Sequence, residues 1–171
     1  TDISLAALVA GLGERLGLPY QHGEGLFYPD TFRFARGTTD VELLQHAAEL
    51  QLSELMDAWA IRNPDALIAT PYDLLKLASI IERETAVDAE RAEISGVFMR
   101  RLKSRMRLQT DPTVIYGLGD RFDGNLTRRH LKTDTPYNTY VRSGLPPTPI
   151  ALPARASLRA AALPAKGSAL Y

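Results

Sequence analysis

The sequence predicts an α+β fold: a single domain, mostly helical, with a small sheet. Apolar residues recur at helical spacing through most of the N-terminal part. The aromatic-rich stretch GEGLFYPDTFRFARGTTD at 23–40 breaks that rhythm. From Thr133 onward proline is dense, which favours irregular backbone. The 171 residues suffice for one core, and no repeat, low-complexity segment or linker divides them.

Leu5, Leu8, Val9, Leu12 and Leu16 predict a first helix over 2–17, with Gly17 able to stop it. In the aromatic stretch, Pro29-Asp30 and Gly37 suggest a hairpin-like extended element, with Phe32 and Phe34 on one face. Thr39 or Asp40 can cap a long helix to about residue 61, with Val41, Leu44, Ala48, Leu52, Leu55 and Met56 inward; Asn63-Pro64-Asp65 breaks it. Thr70-Pro71-Tyr72-Asp73 combines a capping hydroxyl, proline at the first helical position and an early acid, so a helix runs from there to Glu84. After a turn at 85–87, Asp88 caps a helix whose inner face is Ala89, Ala92, Ile94, Val97, Phe98 and Leu102. MRLQTDPTVIYGLGDRF then reads as a short extended piece and a helical turn opened by Asp111-Pro112. ARASLRAAAL fits a last short helix.

Lys and Arg number 20, and so do Asp and Glu, which removes the basic footprint of a nucleic-acid binder. Without cysteine there is neither a disulfide framework nor a thiolate metal site. His22, His46 and His130 lack ligand spacing, so no metal is expected. No uncharged apolar run nears the ~18 residues that span a bilayer, and the first residues lack a signal peptide's pattern. The closing LPAKGSALY shows no evident cap, as in an excised piece of a longer chain.

In ASIIERET, at 78–85, acids stand where an apolar run stops. Leu74, Leu77, Ala78 and Ile81 form the inward stripe, and Glu84 continues it at the C-terminal end. Glu82 lies on the flank and Arg83 points away. An apolar setting and the end of a helix dipole both favour a protonated carboxyl, which can serve as general acid toward a glycosidic oxygen. The alternative is that Glu84 ends the helix in solvent or pairs with Arg83 or Arg101. Most glycosidases need a second carboxylate. Asp111 is the nearest candidate, although Asp before Pro is also a common helix cap. A one-carboxylate mechanism, with an internal hydroxyl of the substrate as nucleophile, is the other route. Sugar grooves use aromatic platforms and polar side chains, and Phe27, Tyr28, Gln109, Thr110, Tyr137, Asn138, Thr139 and Tyr140 supply both.

The chain resembles the endolytic murein transglycosylases, the MltG or YceG-like family, through EGLFYPDTF at 24–32, LASIIERETAV at 77–87, RLKSRMRLQTDPTVIYGLG at 101–119, TPYNTY at 135–140 and GLPPTPIALP at 144–153. The resemblance covers nearly everything from residue 24 onward. It implies a lysozyme-like catalytic groove and lytic cleavage of the bond between N-acetylmuramic acid and N-acetylglucosamine within glycan strands, leaving 1,6-anhydromuramic ends. It places the single catalytic glutamate at Glu84, and Gln109, Thr110, Asp111, Tyr137 and Asn138 along the groove, with Glu82 in support. No cofactor is implied. Peptidoglycan strands are the expected partner, with cell-wall synthases as candidates. Family members usually carry an N-terminal membrane anchor and a LysM-like module, absent here, so residues 1–171 are expected to be the catalytic domain of a parent at the periplasmic face of the inner membrane. Two rivals remain: a hydrolytic muramidase in which Asp111 or another acid positions water, and a non-catalytic peptidoglycan-binding module.

Overall fold

The structure, a computed structural model, describes residues 5–16 and 23–170. Its helices are α1 (Leu5–Leu16), α2 (Asp40–Ala60), α3 (Pro71–Glu84), α4 (Asp88–Lys103), α5 (Asp111–Leu118), α6 (Arg128–Lys132) and α7 (Arg155–Ala162), with a 3₁₀ turn at Gly119–Arg121. Residues 2–4 and 17 of the expected first helix lie outside the described residues.

The local start signals act as expected. Thr39 accepts from Glu42 N while Glu42 reaches back to Thr39 N, closing a capping box on α2. Thr70 caps α3 by accepting from Asp73 N at 3.1 Å, with Pro71 at the first helical position. The short α6 was not foreseen, although Thr127 caps it in the same manner.

Helix α3 is the axis of the fold. Leu74, Leu75, Leu77, Ala78, Ser79, Ile80 and Ile81 are all fully buried. A helix apolar on so many sides must be covered all round, and α2, α4, α5 and α7 pack against it. Full burial of one such Leu or Ile contributes about 1.5–3 kcal/mol. The small Ala160, Ala161 and Ala162 let α7 approach closely, and Ser79 receives Ile150 N at 3.0 Å.

The expected small sheet is not there: no strand occurs among the described residues. A strand needs a partner ladder, and residues 23–39 instead lie on α2. Tyr28 N donates to Ala47 O at 3.0 Å, and the Phe32 ring meets His46 edge-on at 5.5 Å. Phe34 is 65% exposed, so Phe32 and Phe34 share no buried face. The expected extended piece before Asp111 is broken by left-handed backbone at Arg105 (φ 54°) and Gln109 (φ 53°).

Two inner faces also differ from expectation. In α2, Gln51 and Glu54 face inward and Met56 is exposed. Gln51 Nε2 holds Gly25 O and Pro153 O, and Glu54 takes a two-pronged ion pair from Arg155. In α4, Arg91, Ser95, Gly96, Phe98 and Met99 are buried and Ala89 is exposed. Gly96 is required by closeness, since a Cβ there would sit 2.4 Å from Ala165 O. The first residue of α4 is Asp88, and the capping position belongs to Val87.

Candidate active site

Ile81 is the last core residue of α3; one turn later Glu84 has passed the rim of the core and is exposed. The apolar surroundings expected for it are therefore absent, because the periodicity continues past the point where other helices cover α3. Its neighbour is polar: Thr110 Oγ1 donates to Glu84 Oε1. Among the described residues Glu84 has no ion-pair partner; neither Arg83 nor Arg101 is paired with it.

Thr110 is the capping residue of α5, yet its hydroxyl makes no cap bond. A capping threonine normally contributes about 1 kcal/mol by accepting from the first turn. Here the hydroxyl is turned to Glu84 instead. Thr110 is 3% exposed and held from behind. Its N–H donates to Thr139 Oγ1 at 3.1 Å, Thr139 Oγ1 lies 2.8 Å from Thr113 Oγ1, and Thr113 Oγ1 donates to Thr110 O at 2.7 Å. Thr113 and Thr139 are both buried, so this hydroxyl cluster fixes Thr110, and Thr110 fixes one oxygen of Glu84. The role of Thr113 was missed, since in DPTVIYG it reads as an ordinary helical residue; its only signal is a hydroxyl one turn after Thr110.

Glu82, the other acid of the pair, is committed to structure. Its Oε2 accepts from Ala154 N at 3.0 Å, at the start of α7, where a negative charge suits the helix dipole. Its Oε1 lies 3.6 Å from Nη2 of the buried Arg91, which also binds Asp88 and Ser157.

Asp111 is exposed at the first turn of α5, and its Oδ1 accepts from Tyr140 OH at 2.6 Å. Burial, then the Asp111 hydrogen bond and the charges of Asp111 and Glu84, push the Tyr140 hydroxyl up to about 12, so it stays a neutral donor. Glu84, Thr110, Asp111 and Tyr140 thus share one locality. Gln109 is exposed beside it, its N–H donating to Thr139 O at 3.2 Å.

Asn138 is fully buried and does not open onto this surface. Its Nδ2 donates to the carbonyls of His130, Leu131 and Thr133, and its Oδ1 accepts from Tyr140 N. It shapes the loop that carries Thr139 and Tyr140. Half-buried Tyr137 stacks at a tilt on Tyr116, 4.8 Å between centroids, and its hydroxyl pairs with Thr148 at 2.9 Å. Tyr116 OH donates to Glu24 at 3.3 Å, and burial first, then the nearby Glu24 charge, raises the pKa of that hydroxyl. Phe27 packs on the core, and Tyr28 lies toward the Arg155 ion pair rather than Glu84. Among the described residues no group of three His, Asp or Glu side chains converges as a metal site would need. No helix among them is long and apolar enough to cross a membrane.

The family model described as YceG-like family matches residues 4–171. A protein named endolytic murein transglycosylase from Bacillus subtilis (strain 168) is 37% identical over 148 residues, covering 86% of this chain and 41% of the relative. Another of that name, from Streptococcus pneumoniae serotype 2, is 29% identical over 156 residues, covering 86% and 27%. A crystal structure of a yceG-like protein from Listeria monocytogenes aligns with a TM-score of 0.78 at 31% identity, over 99% of this chain and 58% of that one. The chain therefore spans less than half the length of the named relatives.

Proposed function

The chain belongs to the YceG-like family, and on that premise we propose that it is the catalytic domain of an endolytic peptidoglycan lytic transglycosylase with Glu84 as its acid and base. The observation that carries this reading is the diverted hydroxyl: Thr110 gives up a helix cap to orient a carboxyl that has no ion-pair partner among the described residues. Local rules broken at a stability cost mark functional sites. Of the other nearby acids, Glu82 is tied to Ala154 and Arg91, and Asp111 accepts from Tyr140.

In the proposed reaction Thr110 holds one Glu84 oxygen and the other carries the proton. Protonated Glu84 gives that proton to the glycosidic oxygen as the bond to the muramyl anomeric carbon breaks, and the N-acetylglucosamine side leaves with a free hydroxyl. The resulting carboxylate takes the proton from the muramyl 6-hydroxyl. That oxygen bonds to the anomeric carbon, closing the 1,6-anhydro ring and restoring the acid. Water is neither consumed nor needed. Gln109, Asp111 with Tyr140, and the Tyr116–Tyr137 wall are the groups we assign to the glycan groove, with Asn138 and Glu82 as supports behind it. For the parent protein the proposal extends to the periplasmic face of the inner membrane and to cell-wall synthases as partners, on the strength of the family resemblance.

The second reading, a hydrolase, is favoured by one feature: Asp111 stands beside Thr110 and could position water. Digestion of glycan strands in heavy-oxygen water separates the two. Products without label are expected; label at new reducing ends would establish hydrolysis.

A further inference from the structure

We propose that Arg101 is a positioning residue for Glu84, acting through Leu108 and Thr110 and anchored on the C-terminal segment 164–170. The inference rests on Glu84 being the acid proposed above. Arg101, half-buried in the last turn of α4, divides its guanidinium between two carbonyls: Nη1 donates to Leu108 O at 2.5 Å and Nε to Leu170 O at 2.6 Å. The segment containing Leu170 is itself fastened to α4. Arg100 donates to Ala169 O at 2.6 Å and Ala165 O at 3.1 Å, and Ala165 N donates to Ala92 O at 2.8 Å. It thus offers Arg101 a fixed abutment.

What Arg101 holds on its other side is one residue from a strained position. Gln109 has φ 53°, a left-handed conformation that non-glycine residues adopt only when their flanks impose it. The following flank is set by Thr139, which accepts from Gln109 N and Thr110 N. The preceding flank is set by buried Leu108, whose carbonyl Arg101 grips. If Arg101 lets go, residue 109 can relax to negative φ, and the Thr110 hydroxyl swings off Glu84. The Arg101 charge also reaches this locality, since it opposes the rise of the Tyr140 hydroxyl. Lysine keeps the charge but has no planar fork to serve two carbonyls at fixed angles.

The test uses Arg101→Gln, Arg101→Lys, Thr110→Val and both double variants. On uncross-linked glycan strands, each Arg101 variant is expected to lower kcat on the order of 10- to 100-fold with KM little changed, and to cost nothing further in the Thr110→Val background. Independently of cleavage, the Glu84 carboxyl-carbon resonance in labelled protein is expected to move in each Arg101 variant to its position in Thr110→Val, and no further in the doubles. If Arg101→Gln does not fold, Arg101→Lys decides. A resonance left at its wild-type position, or kcat losses that multiply, would overturn the inference. Absence of cleavage by the wild type would sink the functional reading alone, since the resonance still reports on positioning.

Discussion

Replacing each acid of ERE by glutamine separates structure from chemistry most sharply. Glu82 is the half-buried one, with 23% of its side chain accessible. It faces the start of α7 and Arg91, which is 7% exposed. Glutamine keeps the shape and an oxygen for Ala154 N but removes the charge, leaving Arg91 with the Ser157 hydroxyl and with Asp88, a carboxylate 80% accessible to water, as its remaining charged partner. A hydrogen bond to a charged group contributes about 1.5–3 kcal/mol. In a chain of this size each kcal/mol moves Tm by about 2–4 °C, so Glu82→Gln should lower Tm by about 3–12 °C. Glycan cleavage should stay within a few-fold of the parent below the new transition. Glu84→Gln should show the reverse pattern. The residue is exposed, so stability should change by no more than about 0.5 kcal/mol, while cleavage is lost. Differential scanning calorimetry with a glycan digestion on the same samples checks both. Glu82→Gln with an unchanged Tm and no cleavage would refute the division of roles.

Three further outcomes are expected. Asn138→Ala strands three loop carbonyls and Tyr140 N, so stability should fall by about 2–4 kcal/mol in urea titrations. Asn138→Asp, which keeps an acceptor for Tyr140 N but turns a buried carboxylate oxygen on those three carbonyls, should lose more. Gly117→Ala gains about 0.5–1 kcal/mol of helix propensity but sets a Cβ 2.5 Å from Thr135 Oγ1 and 3.1 Å from Tyr137 Cβ. Overpacking costs about 1–3 kcal/mol, so the variant should be less stable and cleave more slowly as the loop carrying Thr139 moves. Tyr72, Tyr116 and Tyr140 all have hydroxyls whose pKa is raised from 10.0 by burial first, to about 12 for Tyr72 and Tyr140. The native state thus favours the neutral phenols: their contribution is complete below pH 10 and is lost as pH rises toward 12. Urea midpoints measured across that window should fall, and less steeply for Tyr140→Phe.

What the sequence revealed is what its local chemistry decides. The caps at Thr39 and Thr70 and the stripe from Leu74 to Ile81 need only neighbours within a turn or two, and each stands where the pattern puts it. The sheet failed because pairing is a long-range matter: residues 23–39 have β-forming aromatics but find a helix as neighbour. The inner face of α4 was misread because α7 and the C-terminal segment choose it, drawing in Arg91 and Gly96 where periodicity favours Ala89. Glu84 drew notice as a continuation of the apolar stripe, yet what distinguishes it is a hydroxyl from Thr110, 26 residues away. Thr113 was invisible for the same reason, and Arg101, offered by the sequence only as an ion-pair partner of Glu84, instead holds the carbonyl of Leu108.

The most direct test of Glu84 as the acid of a lytic reaction is mass spectrometry of uncross-linked glycan strands digested by the wild-type chain and by Glu84→Gln. The expected result is 1,6-anhydromuramic ends from the wild type and intact strands from the variant. Reducing ends from the wild type, or anhydro ends still formed by Glu84→Gln, would contradict it.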